Sequence, residues 1–273
     1  MTDPVFVAER QVWRASAGFS AGGRAIPEET AVSLSYDGGT FVVMMTTPRD
    51  LEDFAVGFSL SEGVVTSPRQ ITSLDLVPLD TGIDVQMWLD APQAEALRQR
   101  RRHIAGPTGC GLCGIDSIAE AVRPAAIVGA GLTVSPQQIM AAMAALPPLQ
   151  VLNIATRAVH AAAFWHPHSG IVALREDVGR HNALDKLVGA LARQSQSGAE
   201  GVVLLTSRVS VEMVQKTAAM GASILVSVSA PTALAVRTAQ AANITLCAIA
   251  RADGFEVFSH PHRISSGASS DVA

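Results

Sequence analysis

The chain has 273 residues, of which 48% are hydrophobic, 16% charged and 4% aromatic, and 24 acidic against 20 basic side chains leave a formal charge of −4. That much apolar material fills about two domain cores, which excludes disorder as the main state, and the acidic balance excludes a broad basic face for duplex nucleic acid. Three cysteines cannot all pair, Met1 to Trp13 lacks the pattern of a secretion signal, and runs such as Ile224 to Val228 fall short of the roughly 18 residues a membrane helix needs, so a reducing, cytoplasmic chain with no membrane partner is expected.

Residues 1–25 include Ser16, Ala17, Gly18, Ser20, Gly22 and Gly23, a small and flexible composition that predicts a flexible N-terminus with order starting near Ala31. Val32, Leu34 and Tyr36 then alternate with polar residues, Asp37 to Gly39 turn the chain, and Phe41 to Met45 run back as a hairpin. Thr47, with Pro48 just inside and Asp50 three positions on, predicts a helix start, and Leu51, Phe54, Ala55 and Phe58 give that helix an apolar face. Ile71 to Val77, a turn at Asp80 to Gly82, Val85 to Leu89 and a helix from about Pro92 to Arg101 repeat the order strand, strand, helix. Residues 26–106 are therefore expected to form a small α+β domain.

Residues 107–130 are expected to form a cysteine loop and a linker helix, the helix capped by Ser117 and Glu120 and stopped by Pro124. An α/β core is predicted over 131–264. Val202 to Leu205, Ile224 to Val228 and Ile244 to Ile249 are nearly continuous apolar runs, as strands buried on both faces must be, and helices near Val211 to Met220 and Thr232 to Ala242 separate them. That alternation favours parallel strands joined by right-handed crossovers. Phe164 to Trp165 and Ile171 to Leu174 predict a hairpin on the same sheet, and 265–273 a flexible tail.

Gly109, Cys110, Gly111, Leu112, Cys113 and Gly114 place two thiols three positions apart between glycines. Four readings fit the spacing. Half of a zinc site would need distant partners such as Cys247, His166 with His168, or His260 with His262. A redox couple should open a helix directly after a strand, which the glycines and the later capping box disfavour. Two small residues in a structural turn would also suffice. The fourth reading is a thiol that carries a group from donor to acceptor, for which glycine supplies freedom of movement. Arg98, Arg100, Arg101, Arg102 and His103 just upstream would favour thiolate there, although the same run also reads as a solvated helix face.

Glu176 to Lys186 is the densest polar cluster of the chain. Leu184, Leu187, Val188 and Leu191 mark a helix on which His181 and Asp185, four apart, share a face. The cluster reads either as an ion-paired helix start at a domain joint or as a pocket in which Arg180 holds an anion and His181 a base edge or a proton. His160, followed by three alanines, reads as a core or interface histidine. Ligands of open α/β sheets sit beyond the carboxyl ends of strands, and three predicted ends are polar: Thr206, Ser207 and Arg208; Ser229 with Thr232; and Arg251, Asp253 and Gly254. No glycine-rich dinucleotide or P-loop motif accompanies them.

Taken together, Gly109 to Gly114, Glu176 to Lys186, the run from Ser207 to Lys216, and His260, Pro261 and Arg263 resemble the formate dehydrogenase accessory sulfurtransferase family, over nearly the whole chain from about Pro27 to Ile264. The resemblance implies a cytidine-deaminase-like three-layer core and a homodimer. It also implies a sulfur carrier that receives sulfur from a cysteine desulfurase and passes it to the molybdenum bis-(molybdopterin guanine dinucleotide) cofactor before insertion into the formate dehydrogenase catalytic subunit, with no tightly held metal of its own. By motif match Cys110 would bear the persulfide and Cys113 assist. Ala250, Arg251, Ala252, Asp253, Gly254 and Phe255 match the family's cofactor-binding stretch, which Ser207, Arg208, Arg180 and His181 would extend. Two alternatives compete: a non-catalytic chaperone that only holds the cofactor, and a nucleotide deaminase. The deaminase lacks its general acid/base, because Ile104 and Ala105 follow His103 where a glutamate two positions on is needed.

Overall fold

The computed structural model of the chain describes residues 3–104 and 123–265, the last five residues before the gap as backbone only. It opens with a ribbon where a flexible N-terminus was expected. Strands β1 (Val5–Arg14) and β2 (Gly18–Pro27) pair antiparallel along their whole length, from Val5 opposite Pro27 to Trp13 opposite Phe19. Gly18, at φ 69°, makes the reversal possible. Ala21, Gly22 and Gly23, opposite Gln11, Arg10 and Glu9, hide the alternation of β2 in the sequence, and Phe6, Val7, Val12 and Trp13 elsewhere in β1 supply the strand character.

A four-stranded sheet follows. β3 (Thr30–Tyr36), β4 (Gly39–Thr46), β5 (Ile71–Leu79) and β6 (Gly82–Leu89) form a sheet in the order β4-β3-β6-β5, with β3 and β6 parallel and the other pairs antiparallel. Helices α1 (Leu51–Ser61) and α2 (Ala91–Ile104) lie on one face, where Val32, Leu34, Tyr36, Val85 and Met87 bury against Phe54, Phe58, Ala94 and Leu97. The start of α1 differs from the expectation. Its N-cap is Asp50, in the left-handed region and without a side-chain capping bond, because Thr47 is engaged elsewhere.

The larger unit is an α/β sandwich. Its six-stranded sheet runs β12 (Gly254–Ser259), β11 (Thr245–Arg251), β10 (Ile224–Ser227), β9 (Val202–Leu205), β7 (His160–His166), β8 (Gly170–Asp177). β9, β10 and β11 are parallel, whereas β7, β8 and β12 pair antiparallel with their neighbours. Alternation splits the strands between two cores. Phe164, Val203, Leu205, Leu225 and Leu246 face α5 (Arg180–Arg193), α6 (Val211–Ala219) and α7 (Ala233–Ala241). Trp165, Val202, Leu204, Ile224, Val226 and Cys247 face α3 (Pro136–Ala145). A short helix, α4 (Val151–Thr156), leads into β7.

The expected linker 107–130 extends too far. Val128 is buried in the α5–α7 core, Ala125 packs against it and the Val128 N–H donates to Ala242, so the stretch from Ala125 packs with the larger unit, while 107–122 lie outside the described residues. At the other end the N–H of Ser265 donates to Val134, and 266–273 lie outside the described residues.

The two units meet where α1 crosses α5. A Cβ placed on Gly57 would lie 1.8 Å from the Asp185 carbonyl oxygen, and one on Gly189 would lie 1.9 Å from that of Asp53. Only hydrogen at both positions lets the backbones touch. Around this crossing Asp53 accepts from Arg175 and Arg193, each at 2.6 Å.

Candidate functional site

The parallel strands β9, β10 and β11 all end at one edge of the large sheet, where antiparallel β7 begins at His160 and β8 ends at Asp177. Helices α5, α6 and α7 each start just after one of these strand ends, so three amino termini with free N–H groups converge there. Thr232 caps α7 by accepting from the N–H of Ala235.

The polar cluster Glu176 to Lys186 divides at this edge into structural and open members. Glu176 accepts the N–H groups of Leu152 and Asn153 and so caps α4. Asp177 is fully buried and accepts from Thr46 Oγ1, the Thr47 and Gly179 N–H groups, Asn182 Nδ2 and Lys186 Nζ. Asn182 also donates to the Met45 carbonyl, and Lys186 to that of Thr47, which ties the end of β4 to the start of α5. Asp185 binds Lys216 at 2.9 Å, and Lys216 reaches Glu62 at 3.2 Å. For these residues the ion-paired domain joint is the correct reading.

Arg180 and His181 remain. Arg180 Nε and His181 Nε2 are out of solvent without a hydrogen-bond partner among the described residues, and His181 Nε2 lies 3.7 Å from Glu212 at the start of α6. Burial and the neighbouring Arg180 guanidinium hold the His181 imidazole below its ordinary value, with Glu212 opposing. Burial and Arg180 do the same to His160, which is half-buried at this edge, with Asp177 opposing. The outcome is a cation beside two histidines that favour the neutral form, an arrangement able to hold an anion and to accept hydrogen bonds from a ligand.

The other expected residues divide as well. Ser207 is buried with its hydroxyl donating to the Arg208 carbonyl and its own carbonyl accepting from Ser227, so its side chain serves the loop, while Arg208 is exposed. Ala250 ends in the α3-side core and Phe255 packs against it. Arg251, Ala252 and Asp253 are exposed at the β11–β12 turn, where Arg251 pairs with Gly254. From β8 to β11 the edge spans four strand spacings, roughly 19 Å, so Arg180 and Arg251 stand at the two ends of that edge rather than in one pocket.

Cys110 and Cys113 lie outside the described residues. The chain re-enters at Arg123, whose guanidinium donates to the Ser61 carbonyl at 2.8 Å and to Glu62, and whose carbonyl accepts from Gln215. Cys247 is fully buried in β11, and burial pushes its thiol up to about 12. Among the described residues no group of three or more potential metal ligands occurs, and no helix is long and apolar enough to cross a membrane. Sequence reasoning overlooked His160 and Glu212 as members of the edge. The signal for Glu212 was its place in the first turn of α6.

The chain resembles proteins named sulfur carrier protein FdhD. It is 52% identical to the one from Agrobacterium fabrum, over 90% of this chain and 91% of that one, and 51% identical to the one from Brucella abortus, over 91% and 93%. A solved structure from Desulfotalea psychrophila, described as a formate dehydrogenase accessory protein, has the same fold with a TM-score of 0.77 at 23% identity, covering 96% of this chain and all of the other. The model of the FdhD/NarQ family matches residues 27–265, and the chain belongs to that family.

Proposed function

We propose that this protein is a sulfur carrier required for formate dehydrogenase. Cys110 accepts sulfane sulfur from a cysteine desulfurase and delivers it to the molybdenum bis-(molybdopterin guanine dinucleotide) cofactor, which is the acceptor substrate, before that cofactor enters the formate dehydrogenase catalytic subunit. The observation that carries this reading is the half-identity of the chain, over nine-tenths of its length, to proteins named sulfur carriers. The open groups at the strand edge support it.

In the loading step the Cys110 thiolate attacks the outer sulfur of the desulfurase persulfide. A new S–S bond forms, the old one breaks, and the desulfurase cysteine leaves as thiolate. In delivery the S–S bond breaks with its electron pair leaving on Cys110 as thiolate, and the released sulfane sulfur passes to the acceptor substrate, which supplies the two electrons that bring it to the sulfide level. Cys113 assists. The acceptor carries phosphates, for which Arg180 at one end of the edge and Arg208 and Arg251 toward the other are suitable cations, with helix amino termini between them.

The test is to incubate the protein with cysteine and a desulfurase and to weigh it. One sulfur atom should add to the wild type and to Cys247→Ser, and none to Cys110→Ala. An adduct of unchanged yield on Cys110→Ala would sink the assignment. Restoration of formate dehydrogenase activity by Cys110→Ser in cells lacking this protein would favour a holding chaperone instead.

A further inference from the structure

Helices α5 and α6 face each other through two pairs of side chains one turn apart. In the inner pair Asp185 binds Lys216 at 2.9 Å, and both are buried. In the outer pair, at the strand edge, His181 Nε2 stands 3.7 Å from Glu212, too far for a hydrogen bond, and 34% of the one side chain and 41% of the other remain open to solvent. The inner pair is closed and the outer pair is not.

The two ring nitrogens of His181 differ. Nε2 is shut off from solvent and faces the Glu212 carboxylate, whereas Nδ1 is not enclosed and makes no hydrogen bond with a described residue. Which nitrogen of a neutral imidazole carries the hydrogen is set by what faces the ring. Burial works against charge on Glu212, yet the neighbouring Ser210 hydroxyl, its own N–H and His181 hold its carboxyl below the ordinary carboxylate range, so it is ionised at neutral pH. An ionised carboxylate draws the hydrogen to Nε2. Nδ1 is then left with a lone pair.

That lone pair matters to an anion. Arg180, next to His181, is always charged, and its Nε has no partner among the described residues, so a phosphate has a cation to approach. The oxygens of a phosphate diester carry only lone pairs, and against Nδ1 they meet repulsion until Nδ1 takes up a proton. The ring is then an imidazolium with a carboxylate beside one nitrogen and a phosphate beside the other, and an opposite charge within about 4–6 Å favours the charged form by about tenfold or more. Lys216, on α6, opposes that charge but is bound to Asp185 and Glu62. His160, on β7, feels the same guanidinium, and the carboxylate on its side, Asp177, already accepts from Thr46, Thr47, Gly179, Asn182 and Lys186. His181 is therefore the ring whose counter-charge is still to spare.

We propose that a phosphate group enters this edge together with a proton, which comes from the solvent and lodges on Nδ1 of His181, and that Glu212 is the positioning residue that makes the proton necessary. Anion and proton then raise each other's affinity by the same factor, so phosphate-bearing ligands bind more tightly as the pH falls from 8 to 6. Loss of the proton favours release. The inference rests on the reading of this edge as the place where the phosphates of the acceptor bind.

The test is titration calorimetry with diguanosine pyrophosphate, whose phosphates are diesters and keep a fixed charge over this range, in buffers of different ionisation enthalpy. The wild type should bind about tenfold more tightly at pH 6 than at pH 8 and take up about half a proton or more at pH 6.5. In His181→Asn the uptake and the pH dependence should both fall to near zero. Glu212→Gln separates positioning from a merely structural role. Its amide can donate to Nε2 and so move the ring hydrogen to Nδ1, and this variant should bind at pH 8 at least as tightly as the wild type, with the uptake largely gone. Circular dichroism on the same samples checks that each variant is folded. Binding without uptake by the wild type, uptake that persists in full in His181→Asn, or a wild-type pH profile in Glu212→Gln would each overturn the proposal and leave the ligand edge standing. No binding by the wild type at pH 6 would remove the ligand edge and this inference with it, whereas the sulfur-carrier reading stands or falls on the mass of the loaded protein.

Discussion

Lys186 Nζ stands 2.6 Å from a carboxylate oxygen of Asp177, and both side chains are wholly removed from water. Burial pushes the Lys186 ammonium down and Asp177 opposes that shift, so each charge depends on the other. Removing one partner of such a pair typically costs about 3–5 kcal/mol, because the other is left charged and buried. Lys186→Met should lower the unfolding free energy by about that much in urea titrations. The double variant Asp177→Asn/Lys186→Met should lose less than the two single variants added together, and simple additivity would refute the pairing.

The crossing of α1 and α5 makes a prediction whose sign is opposite to helix propensity. Ala for Gly in a helix interior ordinarily gains about 0.5–1 kcal/mol. At Gly57 and Gly189 the added methyl would enter a backbone carbonyl of the facing helix. Gly57→Ala and Gly189→Ala should each destabilise by about 1–3 kcal/mol or more. A raised melting temperature in either variant would show that the helices can part freely.

His160 and His181 both favour the neutral form when folded, so their pKa values lie below the ordinary 6.5. As pH falls through about 6.5 the unfolded chain takes up protons that the native chain does not, so this contribution to stability is complete above that value and is lost on acidification through the lowered native values. The denaturant midpoint should therefore fall below about pH 6.5, and His181→Asn should flatten that fall. An identical slope for wild type and variant would count against the environment assigned to His181.

Arg180 Nε makes no hydrogen bond among the described residues, so folding should depend little on it. Arg180→Ala should leave the melting temperature within about 2 °C of wild type while weakening calorimetric binding of guanosine diphosphate about tenfold, more at low salt than at high. Unchanged nucleotide affinity would remove Arg180 from the proposed ligand-binding edge.

Cys247 has a thiol pushed up to about 12 inside a closed strand. A thiol reagent at pH 8 should leave it unmodified in the native protein and label it once guanidinium unfolds the chain, as read by peptide mass. Native labelling at Cys247 would require β11 to open.

The strands of the larger unit were legible because burial on both faces demands unbroken apolar runs, as in Val202 to Leu205 and Ile224 to Ser227. The shared face of His181 and Asp185 was legible too. Both turn to α6, where they meet Glu212 and Lys216, themselves four residues apart. Local spacing failed where a distant partner decided the outcome. Thr47 has the sequence context of a helix cap, yet its N–H donates to Asp177 and its hydroxyl accepts from Val178, both more than a hundred residues away. Nothing local could tell Asp177 from Arg180 as the buried and the open member of one cluster, because that distinction is made by β4 and α1 packing over the start of α5.

Asp177 gathers Thr46 and Thr47 from one half of the polypeptide and Gly179, Asn182 and Lys186 from the other. Together with the Gly57–Gly189 contact, this makes each half the missing template of its counterpart. A backbone cut anywhere within 105–122 would sever the covalent link and leave that junction untouched, so the two fragments should co-purify and, expressed apart, should acquire their full structure only on mixing. The protein is in this respect a heterodimer written as one chain.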